Sequence, residues 1–526
     1  MASIAPDTAT APAADPGRPG VSVPSVKFLG RDLTSSIVVF LVAMPLCMGI
    51  AIASGVPAEK GLITGIIGGI VVGALAGSPL QVSGPAAGLA VIVYELVRDQ
   101  GLSALGPILV LAGLVQVAAG VFRLGGWFKA ISPAVVHGML AGIGVLIVVG
   151  QFHVLFDHRP LPSGLQNLAA MPGRMLGLSA TNWQATEFAF AIALVTIAAM
   201  LGWEKFRPAA LRLMPGALVG VVAGTLLSLV LDVDIARVTV PDSIVGAITP
   251  PTAESFARWL DPAILASAVA IAFIASAETL LSAAAVDKMH DGVRTDYNKE
   301  LRAQGIGNLL CGFAGSLPMT GVIVRSSANV QAGAITRLSA ILHGVWILAF
   351  VAALPFVLTQ IPMAALGAIL VVTGWRLVSL KHATHLFRDY GVLPVVIWGA
   401  TLAMVVATDL LTGVLVGIGL TMLELVPHLR RLRLRVFEAS EGDAHSITLD
   451  GTATFVTLPK LSDTLDRVPH GTPVRIDASR LDAVDHTSAE MLRDWFQRRR
   501  ASGTRVEITG ARGRIATLAE GTRDQK

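Results

Sequence analysis

Gly77-Ser78-Pro79-Leu80-Gln81-Val82-Ser83-Gly84-Pro85 and Gly315-Ser316-Leu317-Pro318-Met319-Thr320-Gly321 are two runs of glycine, proline and hydroxyl residues set inside a strongly apolar chain. Each leads into an apolar segment, Pro85–Val97 and Val322–Gly333. Both are shorter than the roughly 20 residues a helix needs to cross a bilayer. They stand third in the first half of a hydrophobic series and third in the second. Interrupted hydrophobic segments at matching positions of two halves point to a transporter site built from inverted repeats. Taken singly, each break also fits a re-entrant loop or a tilted ordinary helix.

The chain around them has 526 residues, of which 53% are hydrophobic and only 14% charged. Soluble proteins average about 25% charged residues, and the mean hydropathy here is +0.68. A soluble core cannot absorb so much apolar surface, whereas a bilayer can. The remaining candidate spans of the first half are Leu33–Ser54, Gly61–Gly77, Leu105–Phe122, Ala134–Gln151, Glu187–Leu201 and Pro215–Leu231. A polar interval with Asp232, Asp234 and Asp242 follows. The second half continues with Pro262–Ala284, Gln304–Gly315, Leu338–Leu358, Ala364–Leu380, Leu393–Ala407 and Leu410–Val426. That predicts an all-α membrane domain of about fourteen segments, seven on each side of the gap.

The net charge of +4 does not mark a nucleic-acid binder, because Lys and Arg sit in loops and in the last hundred residues. His428, Arg430, Arg431, Arg433 and Arg435 follow the last span directly and place that end in the cytoplasm. An even number of spans returns the N-terminus to the same side. Residues 1–25 carry no apolar run and read as a disordered tail. The transport domain is expected over 26–428, a basic linker over 429–445 and a small cytoplasmic α/β domain over 446–526. In that last domain Ile447–Leu449, Ala453–Leu458, Val474–Asp477 and Arg505–Ile508 read as strands, and Lys460–Arg467 and Ala489–Arg500 as helices.

Charges inside spans are costly and become functional candidates. Glu278 lies deep in Pro262–Ala284, with Ser282 one turn on and on the same face. It reads as a site for a coupling proton, for a cation, or for a structural ion pair with a neighbouring helix. Arg325 lies just after the second break, where the amides of a starting helix and its dipole favour an anion. Its forked donors suit an oxyanion, although it could instead pair with Glu278. Ser83 with the amides of Ala86 and Ala87 supplies the equivalent electropositive end from the first break. Such a cradle requires neither a metal nor an organic cofactor. His382 and His385 read as an interfacial loop rather than a metal pair. Trp127, Trp346 and Trp375 read as membrane-boundary anchors. Cys47 and Cys311 have neither disulfide nor metal spacing. No P-loop, dinucleotide fingerprint or nucleophile elbow occurs, so an enzyme or an ATP-driven pump is not expected.

The composite Asn298-Lys299-Glu300-Leu301, Gln304-Gly305-Ile306-Gly307-Asn308, Gly315–Gly321, Arg325-Ser326-Ser327-Ala328-Asn329 and Ala332-Gly333-Ala334, with Gln81-Val82-Ser83-Gly84-Pro85 upstream, closely resembles the SulP sulfate permease family. Members of that family include anion exchangers, bicarbonate transporters and prestin. The resemblance covers nearly the whole chain from about Val26. It implies two inverted halves split into core and gate subdomains, an elevator-like step, a C-terminal STAS domain and a homodimer. It also implies a substrate held between the third and tenth helices, at Gln81, Ser83, Ala86 and Ala87 on one side and Ile323, Val324, Arg325 and Ser326 on the other. Glu278 falls where some bacterial relatives have a carboxylate linked to proton coupling, and Ser282 joins it as a coupling-ion candidate.

Two departures bear on mechanism. Sodium-dependent bicarbonate members have Asp at the place of Glu278 and a hydroxyl residue at the place of Ile323. Losing that oxygen weakens a sodium site and favours proton coupling or exchange. Anti-sigma antagonists resembling the C-terminal domain carry Asp-Ser-Ser/Thr-Gly, where this chain has Asp485-His486-Thr487-Ser488, leaving Thr487 as the regulatory candidate. The Asp-His variant resembles that of SulP members associated with carbonic anhydrases, so bicarbonate ranks before sulfate. Two other readings stay open: an anion sensor signalling through the STAS domain, and a nucleobase permease of similar architecture.

Overall fold

The structure, a computed structural model, describes residues 26–510 apart from 129–131, 177–182, 212, 240–243, 258, 260, 288, 291, 426–433, 442–443, 470 and 502. The N-terminal tail, Asp242 and residues 429–433 and 442–443 of the basic linker therefore lie outside the described residues.

With no water in the hydrocarbon layer, every backbone amide must bond within its own segment, so the apolar runs fold as helices. Among the described residues, six are long and apolar enough to cross a membrane. They are α1 (Val26–Ala53), α2 (Ala58–Leu75), α4 (Leu102–Val121), α5 (Pro133–Val154), α6 (Trp183–Phe206) and α8 (Pro262–Asp287). Five shorter apolar helices join them: α7 (Gly216–Val230), α11 (Leu338–Ala353), α12 (Met363–Leu377), α13 (Val392–Ala407) and α14 (Leu410–Leu425). The two half-helices α3 (Ala90–Gln100) and α10 (Ile323–Gln331), with α9 (Tyr297–Ala314), complete the expected fourteen.

Several boundaries differ from expectation, and two of them have a clear cause. The second helix of the second half starts at Tyr297, not Gln304, because Asp296 caps it by accepting from the Asn298 and Lys299 amides, each at 3.0 Å. Its first turn is polar and escapes a hydropathy reading, yet Glu300 and Gln304 are fully buried. The run Leu338–Leu358 breaks at Leu354, where Pro355 begins a separate short helix.

The helices pack as two groups. In one, α1, α2, α4, α8, α9 and α11 surround the two half-helices; in the other, α5 packs on α12 and α13, with α6, α7 and α14 beside them. The tightest pair is α4 against α9. A Cβ on Gly113 would lie 2.6 Å from the Gly305 carbonyl, and one on Gly312 would lie 2.7 Å from the Gly106 carbonyl. Small residues thus let these two backbones touch.

The C-terminal unit is a four-stranded sheet of order β3-β4-β5-β6. Its strands are β3 (Leu434–Glu441), β4 (Ala444–Ala453), β5 (Val474–Val484) and β6 (Val506–Thr509). β3 is antiparallel to β4 and the other pairs are parallel. Helices α15 (Leu458–Arg467) and α16 (His486–Ala501) complete the unit, and its core gathers Ile447, Leu465, Ile476, Leu492 and Trp495. It begins at Leu434 rather than Ser446, so part of the expected linker is its first strand. The expected strand Ala453–Leu458 is instead the end of β4, a turn and the start of α15.

Candidate functional site

The two breaks meet. β1 (Ser83–Pro85) pairs antiparallel with β2 (Met319–Gly321), with Ser83 opposite Gly321, Gly84 opposite Thr320 and Pro85 opposite Met319. This ladder of three residue pairs, enclosed throughout, satisfies backbone groups that would otherwise be stranded at membrane depth. One further bond, from the Val322 amide to the Val82 carbonyl at 2.9 Å, extends it.

From this crossing the chain starts two helices. Val322 is extended and caps α10 with no side-chain acceptor, so the amides of Ile323, Val324 and Arg325 have no intrahelical partner. Ala86 is likewise extended and leads into a 3-10 turn, Ala87–Leu89, which continues as α3. The Leu89 amide already bonds the Ala86 carbonyl at 3.2 Å, so the free donors of this turn are those of Ala87 and Gly88. Two uncapped helix starts, each with a positive dipole end, converge beside one ladder. Such an arrangement can hold a small anion by backbone donors alone.

α8 passes both starts. Thr279 accepts the Gly321 amide on its hydroxyl at 3.2 Å, and its carbonyl accepts the Gln81 side-chain amide at 3.0 Å. A Cβ on Gly88 would lie 2.6 Å from Glu278 Oε2, so only glycine lets that carboxylate abut the 3-10 turn. Glu278 Oε2 is enclosed without a hydrogen-bond partner. Ser282, one turn on, is buried.

Arg325 is placed differently from its neighbours. It is fully buried, and its guanidinium meets no acidic side chain and no oxygen acceptor, with the Cys47 thiol beside it. It therefore forms no ion pair with Glu278. The guanidinium lies beneath Gly84, within electrostatic reach of Cys47 and His343. The open face of the first α10 turn instead carries Ile323 and Val324, which are 37% and 46% exposed. Ser326 also points inward, accepting the Val82 amide at 2.9 Å. The structure thus brings Gln81, Ser83, Ala86, Ala87, Glu278 and Ile323–Ser326 to one place, with the arginine behind the ladder rather than in front of it.

A stripe on α9 holds the crossing together. Glu300 Oε2 accepts the Gly77 and Ser78 amides at 2.8 and 2.9 Å. Gln304 donates to Ser83 Oγ at 2.6 Å and to Glu300 at 3.1 Å. Asn308 accepts the Met319 amide at 2.8 Å and donates to the Met319 carbonyl at 3.2 Å and to Gln116 at 2.8 Å. Spaced four apart, these three residues share one helix face, and they clamp the first break and the second. Sequence reading singled them out only as part of a resemblance. The signal that could have found them was a polar i, i+4, i+8 series in a membrane helix.

At the C-terminal unit, Thr487 is buried and adjoins His486, whose Nε2 lies 2.8 Å from the hydroxyl of Ser132, just before α5. The ring of Tyr390, from the short helix Leu380–Tyr390, meets the His486 ring edge-on at 6.4 Å. Asp485 accepts the Phe455 and Ser488 amides at 2.6 and 2.8 Å, while burial pushes its carboxyl above the ordinary range. Trp375 is exposed, and Trp346 donates to Ser36 at 3.0 Å. The side chains of Trp127, His382 and His385 lie outside the described residues. Among the described residues no cluster has the makings of a metal site.

Comparison with known proteins gives a consistent picture. The model of the sulfate permease family matches residues 29–401, and a STAS-domain model matches 436–523. The putative sulfate transporter YvdB of Bacillus subtilis is 31% identical over 395 residues, covering 74% of this chain and 72% of its own. The bicarbonate transporter BicA of Synechocystis is 26% identical over 409 residues, covering 74% and 68%. The solved transmembrane domain of a cyanobacterial BicA superposes with a TM-score of 0.63 at 24% identity, over 74% of this chain and 98% of that one. Murine Slc26a9 in its inward-facing state superposes with a TM-score of 0.65 at 16% identity, over 95% and 88%. At these identities the superpositions show a shared fold.

Proposed function

This chain belongs to the sulfate permease family, a family of membrane transporters and not enzymes, and we propose that it moves small inorganic oxyanions by secondary transport, bicarbonate first and sulfate second. One observation carries the reading: the β1–β2 crossing aims two uncapped helix starts at a common place, with a buried, unpaired guanidinium just behind it. An enclosed cation without a partner is costly. An anion at the helix starts supplies the missing negative charge. Backbone donors recognise charge and size rather than chemical identity, so several oxyanions fit.

Coupling follows from Glu278. An ionised carboxylate beside an anion site repels the anion, so a proton taken up on Glu278 makes room for it. Sodium is less favoured, because Ile323 brings no oxygen to the open face. Exchange of one anion for another uses the same site without a net proton. The step is elevator-like, with the packed group that carries the site moving against the other; the grouping of the helices supports this reading. Both termini then lie in the cytoplasm, with two copies forming a homodimer and a carbonic anhydrase as a functional neighbour.

The test is uptake of labelled bicarbonate and sulfate into proteoliposomes under an inward proton gradient. Accumulation of either anion is expected. No flux of either, in either direction, overturns the proposal.

A second reading, an anion sensor, draws support from the His486–Ser132 contact, which joins the C-terminal unit to the start of a membrane helix. Removing residues 434–526 separates the two, since a transporter keeps its anion binding without them.

A further inference from the structure

We propose that Glu95 is a second carboxylate governing anion passage, on the side of the membrane opposite the C-terminal unit, and that it admits the anion only when it carries a proton. The inference rests on the transport reading and adds a residue and a place to it.

Glu95 lies on α3, beyond the helix start that forms the candidate site. It lines a cavity of about 60 Å³ whose walls come from both helix groups. Ala53, Ala90, Tyr94 and Glu95 form one wall; Gln151 and Thr408 stand on the other. A void of this size holds several waters. Ser132, which touches the C-terminal unit, and Gln151 lie near opposite ends of α5. Their 19 positions of separation span about 28 Å at the helical rise. The cavity therefore sits at the far mouth of the seam along which an anion reaches the two helix starts.

The charges facing Glu95 compensate it only in part. From its own helix come Arg98 and Asp99, and from the turn before α14 comes Asp409. Arg98 is already engaged, by Asp99 at 2.6 and 2.9 Å and by the Pro162 carbonyl at 2.7 Å. Asp409 brings a second carboxylate, which accepts from the Thr412 amide and hydroxyl at 2.9 and 2.6 Å. Tyr94 directs its hydroxyl to the Pro160 carbonyl at 3.4 Å. α1, α5 and the segment 160–167 bring only uncharged groups to the lining. Among these is Gln151, whose Oε1 is buried without a hydrogen-bond partner. An ionised Glu95 thus faces a passing anion with negative charge that Arg98 offsets only in part, and like charges at close range repel. A proton from the outer water converts the carboxylate to the acid as the anion enters, and returns to that water once the anion has passed.

The experiment measures initial uptake of radiolabelled sulfate and bicarbonate by the full-length protein in proteoliposomes, as outside pH is varied from 6 to 8 at fixed inside pH. Wild-type uptake is expected to fall several-fold as outside pH rises. Glu95→Gln should make that profile clearly shallower, leaving only the dependence that the proton on Glu278 contributes, while Glu95→Asp keeps the wild-type slope. Gln151→Glu, which adds a carboxylate to the same cavity, should steepen it. A Glu95→Gln profile indistinguishable from wild type overturns the inference and leaves the transport reading standing, as does wild-type uptake indifferent to outside pH. Absence of any wild-type flux overturns both.

Discussion

Gly84 rests directly on Arg325: a Cβ at residue 84 would lie 2.1 Å from Nη1 of the guanidinium and 3.2 Å from its Cζ. The glycine of the first break is therefore the roof over the charge contributed by the second. Neither a turn nor an unusual φ demands glycine here; close approach does.

Gly84→Ala drives a methyl group into a side chain that is fully enclosed and cannot swing away. Anion uptake should fall at least tenfold while helix content by circular dichroism is unchanged. Gly173→Ala, where a Cβ meets nothing within 4 Å, should leave uptake as it was. Wild-type uptake in Gly84→Ala would show that the guanidinium tolerates displacement.

Arg325→Met separates binding from stability. The buried cation has no acidic partner, and an unpaired buried charge opposes folding. The variant should melt at the same or a higher temperature, yet bind anion roughly tenfold or more weakly, as expected for a lost charged interaction of about 1.5–3 kcal/mol. Thermal melting with and without sulfate measures both. A destabilised variant of unchanged affinity would assign Arg325 a structural part.

Glu300→Gln replaces Oε1, the acceptor of the Gln304 amide, with a second donor. The cost should be about 1–3 kcal/mol, that of a buried polar group left unpaired, and it should appear as a lower melting temperature. Because Gln304 also holds Ser83, uptake should drop as well. Retention of both wild-type values would mean that the α9 clamp is dispensable.

Ser132→Ala removes the hydroxyl facing His486. Losing a buried hydrogen bond of about 1 kcal/mol should speed hydrogen exchange at the start of α16 roughly fivefold, with no change in the core strand β5. Equal exchange in both proteins would mean that the two units are held together elsewhere.

The two breaks, the seven-plus-seven order of segments and the soluble tail could all be read along the chain. In lipid, a backbone must satisfy itself locally, so glycine, proline and hydroxyl residues inside an apolar series have few other meanings. The same locality explains the misplaced start of α9, since a helix whose polar face is buried against protein looks like a loop to hydropathy. It also explains the late boundary of the C-terminal unit, where β3 is recognisable only once β4 lies beside it.

By itself, then, the sequence determined the membrane class, the inverted halves and the residues that gather at the breaks. Only the tertiary structure decided which way those residues face. Arg325 and Val324 are neighbours in sequence, yet one is sealed and the other open, because α10 is anchored through β2 to β1 and packs against α1 and α8. Gln304 reaches Ser83 across 221 residues. Such a pairing costs loop-closure entropy that the assembled helices have already met, and no local pattern encodes it.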